Sequence, residues 1–120
     1  FYEYPQGGTK FLWPELTNMF PQTTPLSQQE MIDRMLIVQA LDTVRCVEEG
    51  VLRSVADANI GSIFGWGFSP FNGGTLQFIN GYGLKKLIER AKALEVKYGE
   101  RFSVPKLLQD KADKGELFVD

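Results

Sequence analysis

The sequence predicts an all-α fold, a single domain of about five helices. Three observations carry that expectation. Apolar residues recur at helical spacing in two long stretches, serine caps stand before helical stretches, and glycines stand after them. Alternation of apolar and polar residues over strand length does not occur, and no repeat lies inside the chain.

Ser27 with Glu30 three residues on forms a capping box, and Leu26 with Met31 fits the hydrophobic staple around it. The helix opened there is expected to run to about Glu49 and stop at Gly50, suited to the left-handed position after a helix end. Ile32, Leu36, Ala40, Val44 and Val47 form one broad apolar side, and Met31, Met35, Val38 and Leu41 are apolar on other sides. Arg34, Asp42, Arg45 and Glu49 leave only a mixed polar stripe. A helix apolar over most of its circumference needs a cover. Met31, Met35, Val38 and Leu41 are therefore the expected packing residues toward another domain or subunit.

Ser54 and Asp57 mark a second, shorter helix ending near Phe64 and Gly65. A third is expected from about Thr75 to Asn80, broken by Gly81-Tyr82-Gly83. Leu84 to Tyr98 reads as an amphipathic fourth, with Leu84, Leu87, Ile88, Ala91, Leu94 and Tyr98 in one stripe and Gly99 at its end. The last runs from about Val104 to Lys114, beginning near Ser103 and Pro105. Residues 1–25 are rich in aromatics, proline and glycine. They read as an extended strap from a preceding domain, with one short helix from Pro14, leaving 26–120 as the helical domain.

Composition narrows the chemistry. The chain has 120 residues, 43% hydrophobic and 23% charged, with a net charge of −2, so it carries no footprint for nucleic acid. No apolar run approaches the roughly 20 residues that span a bilayer. One cysteine, Cys46, rules out an internal disulfide. The absence of histidine removes His-based triads, His general bases and His-ligated metals.

The glycine-rich run Gly65-Trp66-Gly67-Phe68-Ser69-Pro70-Phe71-Asn72-Gly73-Gly74 invites a phosphate-binding reading. Its last glycine is followed by Thr75-Leu76-Gln77 rather than Lys-Ser/Thr, and a helix rather than a strand precedes it. The structural reading is that Phe68 and Phe71 plug the core while Gly65, Gly67, Gly73 and Gly74 let the backbone turn; Trp66 is expected outside the plug. Cys46 reads as a buried inert thiol, and Glu48, Glu49 and Asp57 as solvated or capping groups. Lys85, Lys86, Arg90, Lys92 and Lys97 interleave with Glu89, Glu95 and Glu100 as a solvated face.

The run Asp33 to Val51, with Arg45-Cys46-Val47-Glu48-Glu49-Gly50, followed by the aromatic Gly-Gly loop at 65–74, resembles the C-terminal helical domain of 3-hydroxyacyl-CoA dehydrogenases. It is most similar to the second copy of that domain in multifunctional fatty-acid β-oxidation enzymes. Phe1-Tyr2-Glu3-Tyr4 resembles the strap at the end of the first copy, and Lys97 to Phe102 with Pro105 resembles the family's end. The resemblance implies a fold like the C-terminal domain of 6-phosphogluconate dehydrogenase-like enzymes. It implies a parent enzyme that oxidises 3-hydroxyacyl-CoA with NAD in the cytoplasm, or in mitochondria or peroxisomes of a eukaryote. The implied partners are the preceding NAD-binding and helical domains, the parent's acyl-CoA substrate and, through the same surface, a homodimer. In the catalytic copy an Asn-Arg pair stands where this sequence has Asp33-Arg34, so no catalytic, cofactor or metal residue is carried over. Gly65, Gly67, Phe68, Pro70, Phe71, Gly73 and Gly74 match as structural positions. The chain is thus expected to be inactive alone. The alternative reading is an independent helical module binding a partner helix, peptide or acyl group.

Overall fold

The computed structural model describes residues 1–21 and 24–120; the part of the expected strap at 22–23 lies outside the described residues. Among the described residues, two short strands, β1 (Tyr2–Glu3) and β2 (Phe11–Leu12), precede six α-helices. These are α1 (Leu16–Met19), α2 (Gln28–Glu48), α3 (Val55–Trp66), α4 (Thr75–Tyr82), α5 (Leu84–Tyr98) and α6 (Lys106–Lys114). The fold is all-α, as the periodicity predicts. Single 3-10 turns at Pro70–Asn72 and Glu100–Phe102 link α3 to α4 and α5 to α6.

The expected strap pairs with itself. Tyr2 faces Leu12 and Glu3 faces Phe11 in an antiparallel hairpin, closed by the Trp13 N–H donating to the Phe1 carbonyl at 2.9 Å. Gly7, at φ 78°, makes the tight turn that lets Gly8 N–H reach the Pro5 carbonyl. Phe1, Tyr4, Trp13 and Phe20 remain exposed on this arm.

Local caps stand where the sequence places them. The Ser27 side chain accepts from Glu30 N–H and the Ser54 side chain from Asp57 N–H. Helix α2 is central, but its buried stripe is Asp33, Ile37, Ala40, Leu41 and Val44. The apolar side expected from the wheel is rotated: Ile32 is exposed and Leu36 half-buried. The reason is Asp33, which the helix turns inward. Its Oδ2 accepts from Arg90 Nε at 2.6 Å and its Oδ1 from Gln29 Nε2 at 2.8 Å, so the carboxylate is buried with both oxygens satisfied. Arg90 therefore belongs to the α2–α5 seam, not to the solvated basic face.

Against that stripe pack Leu76 and Ile79 of α4, Leu84, Leu87, Ala91 and Leu94 of α5, and Leu108 of α6, with Phe102 and Phe118 completing the core. Polar ties fix the packing. Arg45 donates to the Ser103 carbonyl at 2.8 Å, and Glu48 accepts the Leu107 N–H at 3.0 Å, capping α6 from the end of α2. The segment 116–120 is clamped likewise. Asn80 exchanges two hydrogen bonds with the Phe118 backbone, and the Asp120 carboxylate accepts the Val55 and Ala56 N–H groups at the start of α3.

Candidate functional site

The glycine-rich loop is the place to look for chemistry, because helix termini and glycines expose backbone donors. Helix α3 ends at Trp66, and Gly67 turns the chain at φ 77°. Phe68 then drops into the core, its ring 6.0 Å from Phe78 in an edge-on contact, and Phe78 makes a second such contact with Tyr82 at 5.7 Å. Pro70–Asn72 make one 3-10 turn, and Gly73 and Gly74 follow at φ 73° and 99°.

Gly74 lies on α3. A Cβ there would sit 2.5 Å from Asn59 Cα, so only glycine permits the approach. That approach puts Asn59 Oδ1 in reach of the Leu76 and Gln77 N–H groups, at 3.0 and 3.1 Å. Ser62 Oγ takes the Thr75 N–H at 3.2 Å. Three donors that could have cradled a phosphate at the start of α4 are thus consumed by α3 side chains. A nicotinamide dinucleotide needs a strand feeding a glycine turn into a helix. Here the glycines join two helices and those three amides are spoken for, so the residues do not fit that group.

Phe71 departs from its expected role. It is 98% exposed rather than in the core: Phe68 enters the core directly after the Gly67 turn, whereas Phe71 sits within the separate Pro70–Asn72 3-10 turn, on its solvent side. Ile60 and Phe64, four residues apart on one face of α3, are also exposed, Phe64 at 85%. Around Gly61 and Gly65 a Cβ would meet open space. An exposed apolar face on α3 is the feature that sequence reasoning missed. Its signal was present in α3 itself, whose only charged residue is Asp57. Trp66 is exposed, as expected, and its Nε1 donates to Gln39 Oε1 at 2.9 Å.

Of the four packing residues assigned to α2, Met31 and Met35 are exposed and Val38 is half-buried. Leu41 is fully buried against the core and offers nothing to a neighbour. Cys46 is half-buried rather than sealed. It lines a hollow of about 330 Å³ between α2 and α3 with Leu52, Ala58 and Trp66. Among the described residues, no three Cys, Asp or Glu side chains gather as metal ligands.

The clearest electrostatic feature is a cluster where α2 begins and α5 ends. The Tyr98 hydroxyl and Lys97 Nζ both donate to Glu30 Oε1, and the Arg34 guanidinium lies 4.0 Å above the Tyr98 ring. The Tyr98 hydrogen bond, more than Lys97, holds the Glu30 carboxyl below its ordinary range, and the same bond pushes the Tyr98 hydroxyl up. Since the folded Glu30 value is lowered, its contribution is present above the ordinary carboxylate range and lost as pH falls through the lowered value. Tyr98→Phe is therefore expected to lower the melting temperature near pH 7 and to change it little near pH 2, read by circular dichroism melts of both proteins. Burial, with Asp33 nearby as a smaller cause, also raises Tyr82.

No protein-family model matches the chain. Over 106 residues it is 36% identical to the fatty acid oxidation complex subunit alpha of Vibrio vulnificus, a match covering 88% of this chain and 15% of that protein. The subunit alpha of Vibrio cholerae is 38% identical over 104 residues, covering 87% and 14%. That of Shewanella loihica is 34% identical over 123 aligned positions, covering 100% and 17%. The chain is a homologue of part of the fatty acid oxidation complex alpha subunits. It spans about 15% of the length of these alpha subunits. This chain is a helical unit whose Asp33 is locked in an ion pair and whose Thr75, Leu76 and Gln77 amides, after the glycine loop, are bonded to α3 side chains. Ile60, Phe64 and Phe71 stand out among its exposed side chains as large and apolar.

Proposed function

We propose that the chain is a non-catalytic C-terminal helical domain of an NAD-dependent 3-hydroxyacyl-CoA dehydrogenase acting in fatty-acid β-oxidation, part of a multifunctional cytoplasmic enzyme. Its role is to pack against the preceding helical domain and so support the acyl-CoA cleft, whose reacting groups and NAD site lie in the rest of the parent. One observation carries the reading. Ile60 and Phe64 on α3, with Phe71 on the following loop, are large, apolar and exposed, while the Thr75 and Leu76 amides beside the loop are already bonded to α3 side chains. Exposed apolar surface of this kind marks an interaction face. The relatives' length supports a neighbour within the same chain.

The test uses the long parent and this chain side by side. Phe64→Ser with Phe71→Ser is expected to leave the melting temperature of the 120-residue chain within about a degree or two, since exposed side chains contribute little. In the parent the same pair is expected to lower dehydrogenase kcat/KM about tenfold or more through a loosened cleft. Unchanged parent activity, or 3-hydroxyacyl-CoA oxidation by the 120-residue chain alone, is the result that overturns the proposal.

A further inference from the structure

The hollow of about 330 Å³ between α2 and α3 is not lined by Ile60, Phe64 or Phe71, and its own lining sorts by depth. Thr43, Ala58 and Ser62, all buried, form the bottom, with half-buried Cys46 and Leu52 above them. Asp42, Val51, Asp57 and Trp66 are exposed and form the mouth. A hollow of this size is at the small end of small-molecule sites, which set a few polar groups on a mostly apolar lining.

The polar groups decide what can enter. Thr43 Oγ1 donates to the Gln39 carbonyl at 2.9 Å, and Ser62 Oγ to the Asn59 carbonyl at 2.8 Å. Trp66 Nε1 donates to Gln39 Oε1 at 2.9 Å, and Gln39 Nε2 to the Met35 carbonyl at 2.6 Å. The Val51 and Leu52 N–H groups go to the Cys46 carbonyl, and the Asp57 N–H goes to Ser54 Oγ. Each lining side-chain N–H or hydroxyl group already donates within the protein; the Cys46 thiol is a weak donor. The carboxylates are the opposite case. The Asp42 side chain is 73% exposed and meets Arg45 only at 3.7 Å, while Arg45 donates to the Ser103 carbonyl at 2.8 Å. Asp57 has no ion-pair partner among the described residues, and neither lysine nor arginine lines the hollow. The spare capacity is therefore for accepting, and the charge is negative. A carboxylic acid or a phosphate ester would meet like charge and no free strong donor. An ammonium group on an apolar stem meets acceptors, opposite charge and an indole that favours cations.

We propose that this hollow binds a primary alkylammonium ligand, with its stem against Cys46, Leu52 and Ala58 and its charged head at the Asp42 and Asp57 rim. The apolar depth supplies affinity for the stem, and the carboxylates choose the sign of the head.

Trp66 fluorescence reads the binding in the full chain carrying Trp13→Phe, which leaves a single indole. The probes are n-hexylammonium, hexanoate and 1-hexanol at pH 7, three heads on one stem. n-Hexylammonium is expected to saturate with a Kd of about a millimolar or tighter. Hexanoate and hexanol are each expected to bind about fivefold weaker or less. Asp42→Asn with Asp57→Asn is expected to weaken hexylammonium about fivefold and to leave hexanol unchanged. Gly61→Leu, where the added side chain meets open space on the wall, is expected to fill the hollow and remove binding. Saturating hexylammonium is expected to slow alkylation of Cys46 by iodoacetamide, which places the ligand beside that thiol. Far-UV circular dichroism checks that each variant is folded. The proposal is overturned if hexylammonium gives no saturable change, or if hexanoate or hexanol binds as tightly. It is equally overturned if the paired Asn substitutions or Gly61→Leu leave hexylammonium binding unchanged, or if Cys46 reacts as fast with the ligand bound. None of these measurements alters Phe64 or Phe71, so this site and the packing role can fail separately.

Discussion

Replacing Gly74 with alanine is expected to destabilise the chain by roughly 3–5 kcal/mol, near the top of the range for single substitutions. Two costs add. The backbone there sits at φ 99°, where a side chain is strained by itself. The new Cβ would also lie 2.5–2.7 Å from Asn59 Cα, Cβ and carbonyl oxygen, which are helix backbone or close to it and cannot swing aside. Relief requires α4 to back away from α3. That lengthens the Asn59 hydrogen bonds to Leu76 and Gln77 and strips the α4 N-terminus of its cap. Gly65→Ala, nine residues earlier in the same glycine-rich run, is the matched control. It lies within α3 with open space around it, so removing backbone freedom is expected to be neutral or stabilising by up to about 1 kcal/mol. Urea titrations of the three proteins read both signs.

The second large effect is expected at Phe118. Its ring is 2% exposed, and Lys111 Nζ lies 5.3 Å from the ring centre. Phe118→Ala is expected to cost about 3–5 kcal/mol, as for other buried aromatic truncations. Part of the loss reaches beyond the cavity. The ring seats a segment whose backbone exchanges two hydrogen bonds with Asn80 and whose Asp120 carboxylate caps α3. Asp120→Ala alone is expected to cost about 0.5–2 kcal/mol, the range for a lost helix cap. If the segment acts as one clamp, Asp120→Ala in the Phe118→Ala background costs clearly less than it does alone, which a double-mutant cycle reads directly.

These cases separate what the sequence makes legible from what it hides. Ser27 with Glu30 and Ser54 with Asp57 are caps three residues apart, and both are visible as strings. Asn59 with Leu76, Glu48 with Leu107, and Asp120 with Val55 do the same physical job across 17 to 65 residues. Nothing local marks them, because each depends on how segments distant in sequence pack together. Asp33 shows the same limit on α2. A wheel of apolar residues turns it outward, whereas a buried carboxylate becomes acceptable only once Arg90, 57 residues on, is brought alongside. In the glycine loop, the residue types announce a sharp, glycine-dependent turn. Which of Phe68 and Phe71 enters the core is decided by the Gly67 turn before Phe68 and the 3-10 turn that contains Phe71, and sequence spacing reveals the phase of neither. The exposed faces of α2 and α3 were legible only in part, since an apolar residue looks the same whether it meets its own core or a neighbour.

The clamp formed by 116–120 has a consequence for biosynthesis. A chain emerging from the ribosome presents α2 and α3 before the carboxylate that holds the first amides of α3 and the aromatic ring that closes the core. Helices made first thus wait on residues translated 64 and 65 positions later before their ends are secured. Delivery of residues 116–120, rather than stepwise growth of α2 and α3, sets the moment at which this unit can reach its native state.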